Sequence, residues 1–473
     1  MIKFGTSGFR GIIADNFTKE NVQKIAYAVA NILIKEGKTD KTISFGYDNR
    51  FMGKEFAEWM SEVLLAHGLR VEMYSKSVPC TLIAYEVKHK HLGLYITASH
   101  NPFYYSGVKI FVNGAKEPDK EFTDKIEKIA NKVNAAKIPT MSIADAEKKG
   151  LITYTDNIKG YCDNVVKLVG TKNIKGSGVR ILFNPMHGAT SECTRYIFKK
   201  LGLEDVIVMN ENPDPYFGGG MPAPYKHNLG EQVKMLKAKK CDFGFAVDGD
   251  GDRVTFIDKT GETYDCNYIA VVMYYYLVKY RKFKGDFVRN IAFTSLLDKV
   301  VKSLGGNIHT ALVGFKNVAK GLQNTNSFIG AETNGIAFKD HVLHKDGILC
   351  GLMLVDIICA MKKPLSSIIK AIKEEYNYPC EEVECNYETT ASHRDYLKKK
   401  IYDKKELPKL SRKILKVDYS DGMKMYFEND YWAMVRFSGT ECVMRLFVEL
   451  ETAEKSYEMV KELEKFIELT ERQ

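Results

Sequence analysis

No CxxC pair and no complete zinc-finger pattern occurs in this 473-residue sequence. Its ten cysteines are scattered, which in so long a chain points to free thiols and a cytoplasmic setting, away from a disulfide framework. Long apolar runs are missing too. The longest, residues 268–278, is well short of a membrane span, and the first residues lack the apolar segment of a signal peptide. No nucleic-acid recognition module occurs. The net charge of +9, with lysine clusters around 279–284 and 398–413, therefore reads as solvated helix faces and a modest field attractive to small anions.

What is present is an ordinary globular composition, 45% hydrophobic and 27% charged, in a chain long enough for three or four domains. Val22, Ile25, Ala26, Val29 and Leu33 recur at helical spacing. Residues 42–47 read as a buried strand, 55–67 as a helix and 71–74 as a strand. The cycle returns with strands at 179–183, 243–247, 291–294 and 328–331. This is the α/β pattern, with functional loops expected at the strands' carboxyl ends. After about residue 372 the pattern turns strand-rich, at 386–388 and 426–438. It closes on a helix whose face includes Met459, Val460, Leu463, Phe466 and Ile467. Residues 135–150 and 362–378 are the expected linkers.

Four loops carry chemistry. The apolar run 92–96 leads into Thr97-Ala98-Ser99-His100-Asn101-Pro102, a serine at a strand's end with an imidazole beside it. A turn serine is the plain alternative, but Lys109 follows on the next extended segment, placed to neutralise a phosphate on Ser99. The run 243–247 leads into Asp248-Gly249-Asp250-Gly251-Asp252-Arg253. Carboxylates at alternate positions with glycines between them can fold around one hard cation. As an EF-hand the loop fails, because Arg253 and Lys259 stand where Gly and Glu are needed. Magnesium is favoured over calcium, since a phosphate would supply a ligand. Glu332 and Asn334, at i and i+2 after a strand-like run, suit adjacent sugar hydroxyls. Arg436, Ser438, Gly439 and Thr440, with Arg445 beyond, read as an anion cradle of guanidinium, hydroxyls and an approachable backbone amide.

Together these loops resemble the α-D-phosphohexomutases, the phosphoglucomutase/phosphomannomutase family, from Phe4-Gly5-Thr6-Ser7-Gly8-Phe9-Arg10-Gly11 to residues 436–445. The resemblance implies three successive α/β domains with mixed sheets and a smaller C-terminal α+β domain around a central cleft. The expected units are a phosphoserine domain at 1–148, a metal-binding domain at 149–257, a sugar-binding domain at 258–372 and a phosphate-binding domain at 373–473. It implies interconversion of hexose 1- and 6-phosphates, of glucose or mannose, through phosphoserine 99 and a hexose 1,6-bisphosphate. One Mg²⁺ per chain would be held by Ser99, Asp248, Asp250 and Asp252.

Arg10, Lys109, His100 and His341 are the further catalytic candidates. Arg253, Lys316, Glu332, Asn334, Arg436, Ser438, Gly439, Thr440 and Arg445 are the substrate-binding ones. Glucosamine or pentose phosphates are alternative substrates, and an inactive sugar-phosphate-binding protein is the alternative outside enzymology. The expected partner is a small sugar phosphate, with neither nucleic acid nor membrane, for a monomer or homodimer. Asn334 stands where the family usually has Ser, Cys442 where it has Pro, and Ser106 where Asn commonly precedes Gly-x-Lys.

Overall fold

The computed structural model describes residues 1–5, 7–437 and 443–468, which form four sheets. The first has seven strands, in the order Phe4–Gly5, Gly8–Ile12, Tyr105–Val112, Leu92–Ile96, Ile43–Tyr47, Val71–Tyr74 and Ile152–Thr155. The second orders Thr263–Tyr264, Val254–Asp258, Phe243–Val247, Arg180–Asn184 and Asp205–Val208. The third orders Ile308–Ala311, Asp286–Asn290, Ser327–Glu332 and Gly335–Phe338. All three mix parallel and antiparallel pairs. The fourth, Glu381–Glu388, Val443–Leu450, Trp432–Phe437, Met423–Tyr426 and Lys416–Asp418, is antiparallel throughout.

The first three sheets share one device. A strand with a parallel neighbour, buried along most of its length, ends in a loop and returns as an antiparallel partner. These pairs are Leu92–Ile96 with Tyr105–Val112, Phe243–Val247 with Val254–Asp258, and Ser327–Glu332 with Gly335–Phe338. The loops between them hold Ser99, the three aspartates, and Asn334 beside Glu332. Leu92–Ile96 and Phe243–Val247 are buried at every position, which is why they read as unbroken apolar runs.

Helices brace these loops. Lys19–Lys35 starts where the Thr18 side chain accepts from Asn21 N, and buries Val22, Ile25, Ala26, Val29 and Leu33. Gly347–Met361 is buried on nearly all sides and capped by Asp346, which accepts from Leu349 N. Each fully buried Leu or Ile on it contributes about 1.5–3 kcal/mol. Gly347 N and Cys80 N, opening helices of two different units, donate to Gly251 O and Asp250 O at 3.0 Å each, pinning the aspartate loop from both sides.

Between the third and fourth sheets, Lys424 is fully enclosed. Its Nζ donates to Ile291 O at 2.6 Å and lies 3.6 Å from the Trp432 ring centre. Burial, reinforced by nearby Arg289, pushes its pKa down to about 7. Glu449 accepts there from Ser295 N, Tyr378 Oη and Trp432 Nε1.

Several expectations need correction. Residues 291–293 are bends; the strand is Asp286–Asn290, and Thr294 instead caps the helix Ser295–Ser303. The linker expected at 135–150 holds the helix Ile143–Lys148, and that at 362–378 holds Leu365–Glu375. The first sheet reaches past residue 148, because Ile152–Thr155 pairs parallel with Val71–Tyr74. The second passes 257, because Thr263–Tyr264 pairs with its edge.

Candidate active site

Ser99 is the focus of the loop after Leu92–Ile96. It sits at φ 53°, in the left-handed region that a non-glycine residue avoids unless its surroundings impose it. Two contacts impose it. Ser99 N donates to Thr97 Oγ1 at 2.7 Å, and the buried Arg50 grips the loop's carbonyls. Arg50 Nη2 donates to Ser99 O and Asn101 O at 2.7 Å each, and Nη1 to Pro102 O at 2.8 Å and Tyr105 O at 2.9 Å. Its Nε pairs with Asp48 Oδ2 at 3.1 Å. Gly107, on the return strand, is required: a Cβ there would lie 2.4 Å from Phe9 O and 2.5 Å from Thr97 O.

So held, Ser99 Oγ donates to Asp248 Oδ2 at 2.6 Å. Carboxylate oxygens of Asp248, Asp250 and Asp252 lie within 4.8 Å of one another, all buried. Asp250 Oδ1 and Asp252 Oδ1 are enclosed without a hydrogen-bond partner. Burial, with repulsion from Asp250 and Asp252, pushes the Asp248 pKa up to about 8. Orphaned oxygens and a carboxylate forced toward protonation are what a site short of positive charge looks like, and a hard divalent cation fits this all-oxygen set. Gly251, at φ 82°, lets the loop turn between its carboxylates.

Cations ring this cluster. Lys109 Nζ lies 2.7 Å from Asp250 Oδ2 and 2.5 Å from Asp252 Oδ2. Burial opposes its charge, but the two aspartates prevail and hold its pKa well above the usual lysine value. Asp252 is likewise kept ionised against burial, by Lys109, Lys345 and His344. Arg10 donates to Asn101 Oδ1, and burial together with Arg253 draws its pKa down. Arg253 donates from its backbone N to Asp248 Oδ1 at 3.0 Å and from Nη1 to Tyr225 Oη at 2.8 Å, leaving a buried Nε unpartnered. His100 Nδ1 is 3.5 Å from Ser99 Oγ, and burial, helped by Arg253 and Arg10, keeps its ring neutral.

From the third sheet, Glu332 Oε1 lies 3.3 Å from Lys345 Nζ, which is 3.8 Å from Asp252 Oδ1. Asn334 is half-buried in the turn beside Glu332, and Lys316 half-buried in the first turn of Phe315–Asn324. His341 needs correction. Its ring is fully buried, Nδ1 on Asn164 at 2.8 Å and Nε2 on Asp346 at 2.8 Å, so neither nitrogen is free for a substrate. The histidine on the aspartate cluster is His344, with Nε2 3.1 Å from Asp252 Oδ2.

Arg436 and Arg445 belong to the fourth sheet, where they face each other across Trp432–Phe437 and Val443–Leu450. Like charges directly opposite repel. Arg436 Nε finds Asp421 at 3.1 Å and Arg445 Nη1 finds Glu384 at 3.5 Å, but Arg445 Nε is buried without a partner. Ser438, Gly439 and Thr440 lie outside the described residues, as does Cys442.

Sequence reasoning missed Asp48, Arg50, His344 and Lys345. The position of Asp48 and Arg50, directly after Ile43–Tyr47, was the available signal, since loops at strand carboxyl ends carry function.

Residues 1–137, 159–261 and 265–376 match the models of phosphoglucomutase/phosphomannomutase alpha/beta/alpha domains I, II and III. A phosphoglucomutase/phosphomannomutase of Thermococcus kodakarensis is 30% identical, over 96% of each chain. A phosphoglucosamine mutase of Campylobacter jejuni is 29% identical, over 94% of each. A Thermus thermophilus crystal structure assigned as a phosphomannomutase superposes with a TM-score of 0.84 at 27% identity, covering 99% of each chain. The chain belongs to the phosphoglucomutase/phosphomannomutase family, whose members are mutases that interconvert phosphosugars.

Proposed function

We propose that this mutase interconverts the 1- and 6-phosphates of glucose and mannose, with Ser99 as the phosphoryl carrier. The observation that carries the reading is Ser99 Oγ, held at 2.6 Å from Asp248 inside a buried cluster short of positive charge. Ser99, Asp248, Asp250 and Asp252 would hold one Mg²⁺, which when bound supplies charge stabilisation to the phosphoryl oxygens.

The chain's own residues do the rest. A sugar hydroxyl attacks the phosphorus of phosphoserine 99, a new P–O bond forms, the bond to Ser99 Oγ breaks, the proton lost by the sugar hydroxyl is balanced by one gained at Ser99 Oγ, and a hexose 1,6-bisphosphate results. Lys109 and Arg10 offset the charge on the moving group. Glu332 and Asn334 face the sugar hydroxyls, with Lys345 holding the Glu332 carboxylate and Arg253 lining the same cleft. Arg436 and Arg445, with Ser438, Gly439 and Thr440, grip the phosphate that does not react, and Lys316 assists from the third unit. The bisphosphate then turns over, returns its other phosphate to Ser99, and also serves as activator. His100, neutral, stands with Nδ1 3.5 Å from Ser99 Oγ, beside the reacting oxygen as a further catalytic group. The four sheets take the roles of phosphoserine, metal, sugar and phosphate domains, in a cytoplasmic enzyme; among the described residues no helix is long and apolar enough to cross a membrane.

A second reading, glucosamine phosphate, is favoured by the Campylobacter jejuni relative, named a phosphoglucosamine mutase. A panel of glucose, mannose, glucosamine and ribose 1-phosphates, with Mg²⁺ and traces of the matching bisphosphate, separates the two. Glucose and mannose are expected to lead in kcat/KM. Glucosamine in the lead would overturn the choice of sugar, and no turnover of any would overturn the mutase reading for this chain.

A further inference from the structure

Beside the all-oxygen cluster lies a second set of ligand atoms of different chemistry. Cys80 opens the helix Cys80–Glu86 of the first unit, Asp252 ends the aspartate loop of the second, and His344 follows the hairpin of the third. Cys80 Sγ lies 3.9 Å from Asp252 Oδ2 and 3.8 Å from His344 Nε2, and those two atoms are 3.1 Å apart. All three side chains are buried.

A tetrahedral zinc ion, with bonds of about 2.3 Å to sulfur and about 2.0 Å to nitrogen and oxygen, sets its ligand atoms roughly 3.3–3.6 Å apart. The observed triangle is one face of that tetrahedron to within a few tenths of an ångström. Thiolate, imidazole and a single carboxylate select zinc or cobalt over magnesium. We infer that Cys80, Asp252 and His344 form a second cation site, specific for a thiophilic divalent ion such as Zn²⁺ and overlapping the aspartate cluster through Asp252.

The resident cation at this place is Lys109, whose Nζ is 3.7 Å from Cys80 Sγ and 2.5 Å from Asp252 Oδ2. Zinc and the ammonium compete for one carboxylate. On binding, the Cys80 S–H bond breaks, an S–Zn bond forms, the proton leaves to solvent, and Lys109 loses an ion-pair partner. One ion then ties three units together and removes Asp252 from the magnesium set. The resulting inhibition rests on the function proposed above; the binding itself does not.

Co²⁺ is the probe, because a cobalt–thiolate bond gives a near-ultraviolet charge-transfer band that an all-oxygen site cannot give. Wild-type protein saturated with Mg²⁺ is expected to develop the band on Co²⁺ titration, and Cys80→Ser to lack it. His344→Gln should need roughly tenfold more Co²⁺ or beyond, the loss of one of three protein ligands. Zn²⁺ should inhibit the wild type, and Cys80→Ser should raise the half-inhibiting concentration roughly tenfold or more, each protein normalised to its own zinc-free rate. No band in the wild type, or a band that persists in Cys80→Ser, would overturn the site. Should Cys80→Ser not fold, unchanged Co²⁺ affinity in His344→Gln overturns it equally. A band without mutase activity would leave this site standing and remove only the function.

Discussion

Ser99 Oγ and Asp248 Oδ2, 149 positions apart in the chain, stand 2.6 Å apart, so the serine loop of the first unit bonds directly to the aspartate loop of the second. That bond joins the candidate nucleophile directly to a carboxylate that burial and its neighbours push toward protonation.

Asp248→Asn should therefore dissociate two effects. The Asp248 pKa, at about 8, lies above its value in the unfolded chain. The folded protein thus binds this proton more tightly, and its metal-free stability declines as pH rises from about 4 toward about 8. The asparagine variant should lose that decline while binding Mg²⁺ at least about tenfold more weakly. Thermal unfolding across pH, with and without Mg²⁺, reads both. An unchanged Mg²⁺ response would remove Asp248 from the cation site.

Arg50 holds the serine loop through four carbonyls, a geometry that needs the guanidinium fork. Arg50→Lys keeps the charge beside Asp48 and is expected to lower kcat about 10²-fold with KM little changed, the cost of a nucleophile displaced by about 1 Å. Arg50→Ala would in addition leave Asp48 buried and unpaired, at about 3–5 kcal/mol in stability. Steady-state kinetics on the lysine variant decides; wild-type kcat would mean that the loop holds its shape without the fork.

The facing pair Arg436 and Arg445 makes sense if an anion lies between them. Arg436→Ala should raise KM for the sugar phosphate roughly tenfold or more, while stability without ligand stays level or rises because a like-charge contact is gone. Inorganic phosphate should raise Tm less in the variant than in the wild type. Equal phosphate effects on Tm would detach this pair from phosphate binding.

Lys424 gives a pH effect away from the active site. Its folded pKa of about 7 lies below the unfolded value, so the unfolded chain binds its proton more tightly and stability rises as pH climbs from about 7 toward 10. Lys424→Met abolishes this dependence, and the variant-minus-wild-type stability difference should shift in favour of the wild type over that range. Denaturant unfolding at pH 7 and pH 9.5 measures it; a constant difference would show that the ammonium is not strained.

What could be read from the chain divides by the range of the forces involved. Leu92–Ile96 and Phe243–Val247 were legible because strands buried on both faces need unbroken apolar runs. Ser99 and the alternating aspartates were legible because their chemistry lies in local spacing. Asp286–Asn290 was not, since Asp286, Arg289 and Asn290 break its apolar pattern and Arg289 is buried in a pair with Asp298. Arg50 was hidden because its partners are backbone carbonyls about fifty residues away, which no side-chain pattern encodes. His341 and His344 differ by three positions, and only packing decides that the first locks Asn164 and Asp346 while the second meets Asp252. The first unit's boundary was misplaced for a similar reason: Ile152–Thr155 returns to Val71–Tyr74 by tertiary pairing.

The phosphoryl carrier is the centre of this reading, and peptide mass spectrometry tests it most directly. Protein stripped of phosphate is incubated with glucose 1,6-bisphosphate and Mg²⁺, digested, and the peptide spanning residues 97–109 examined. The wild type should carry one phosphate on Ser99, and Ser99→Ala, folded and binding Mg²⁺, should carry none anywhere and retain almost no mutase activity. Phosphate on another residue, or near-normal turnover in Ser99→Ala, would contradict it.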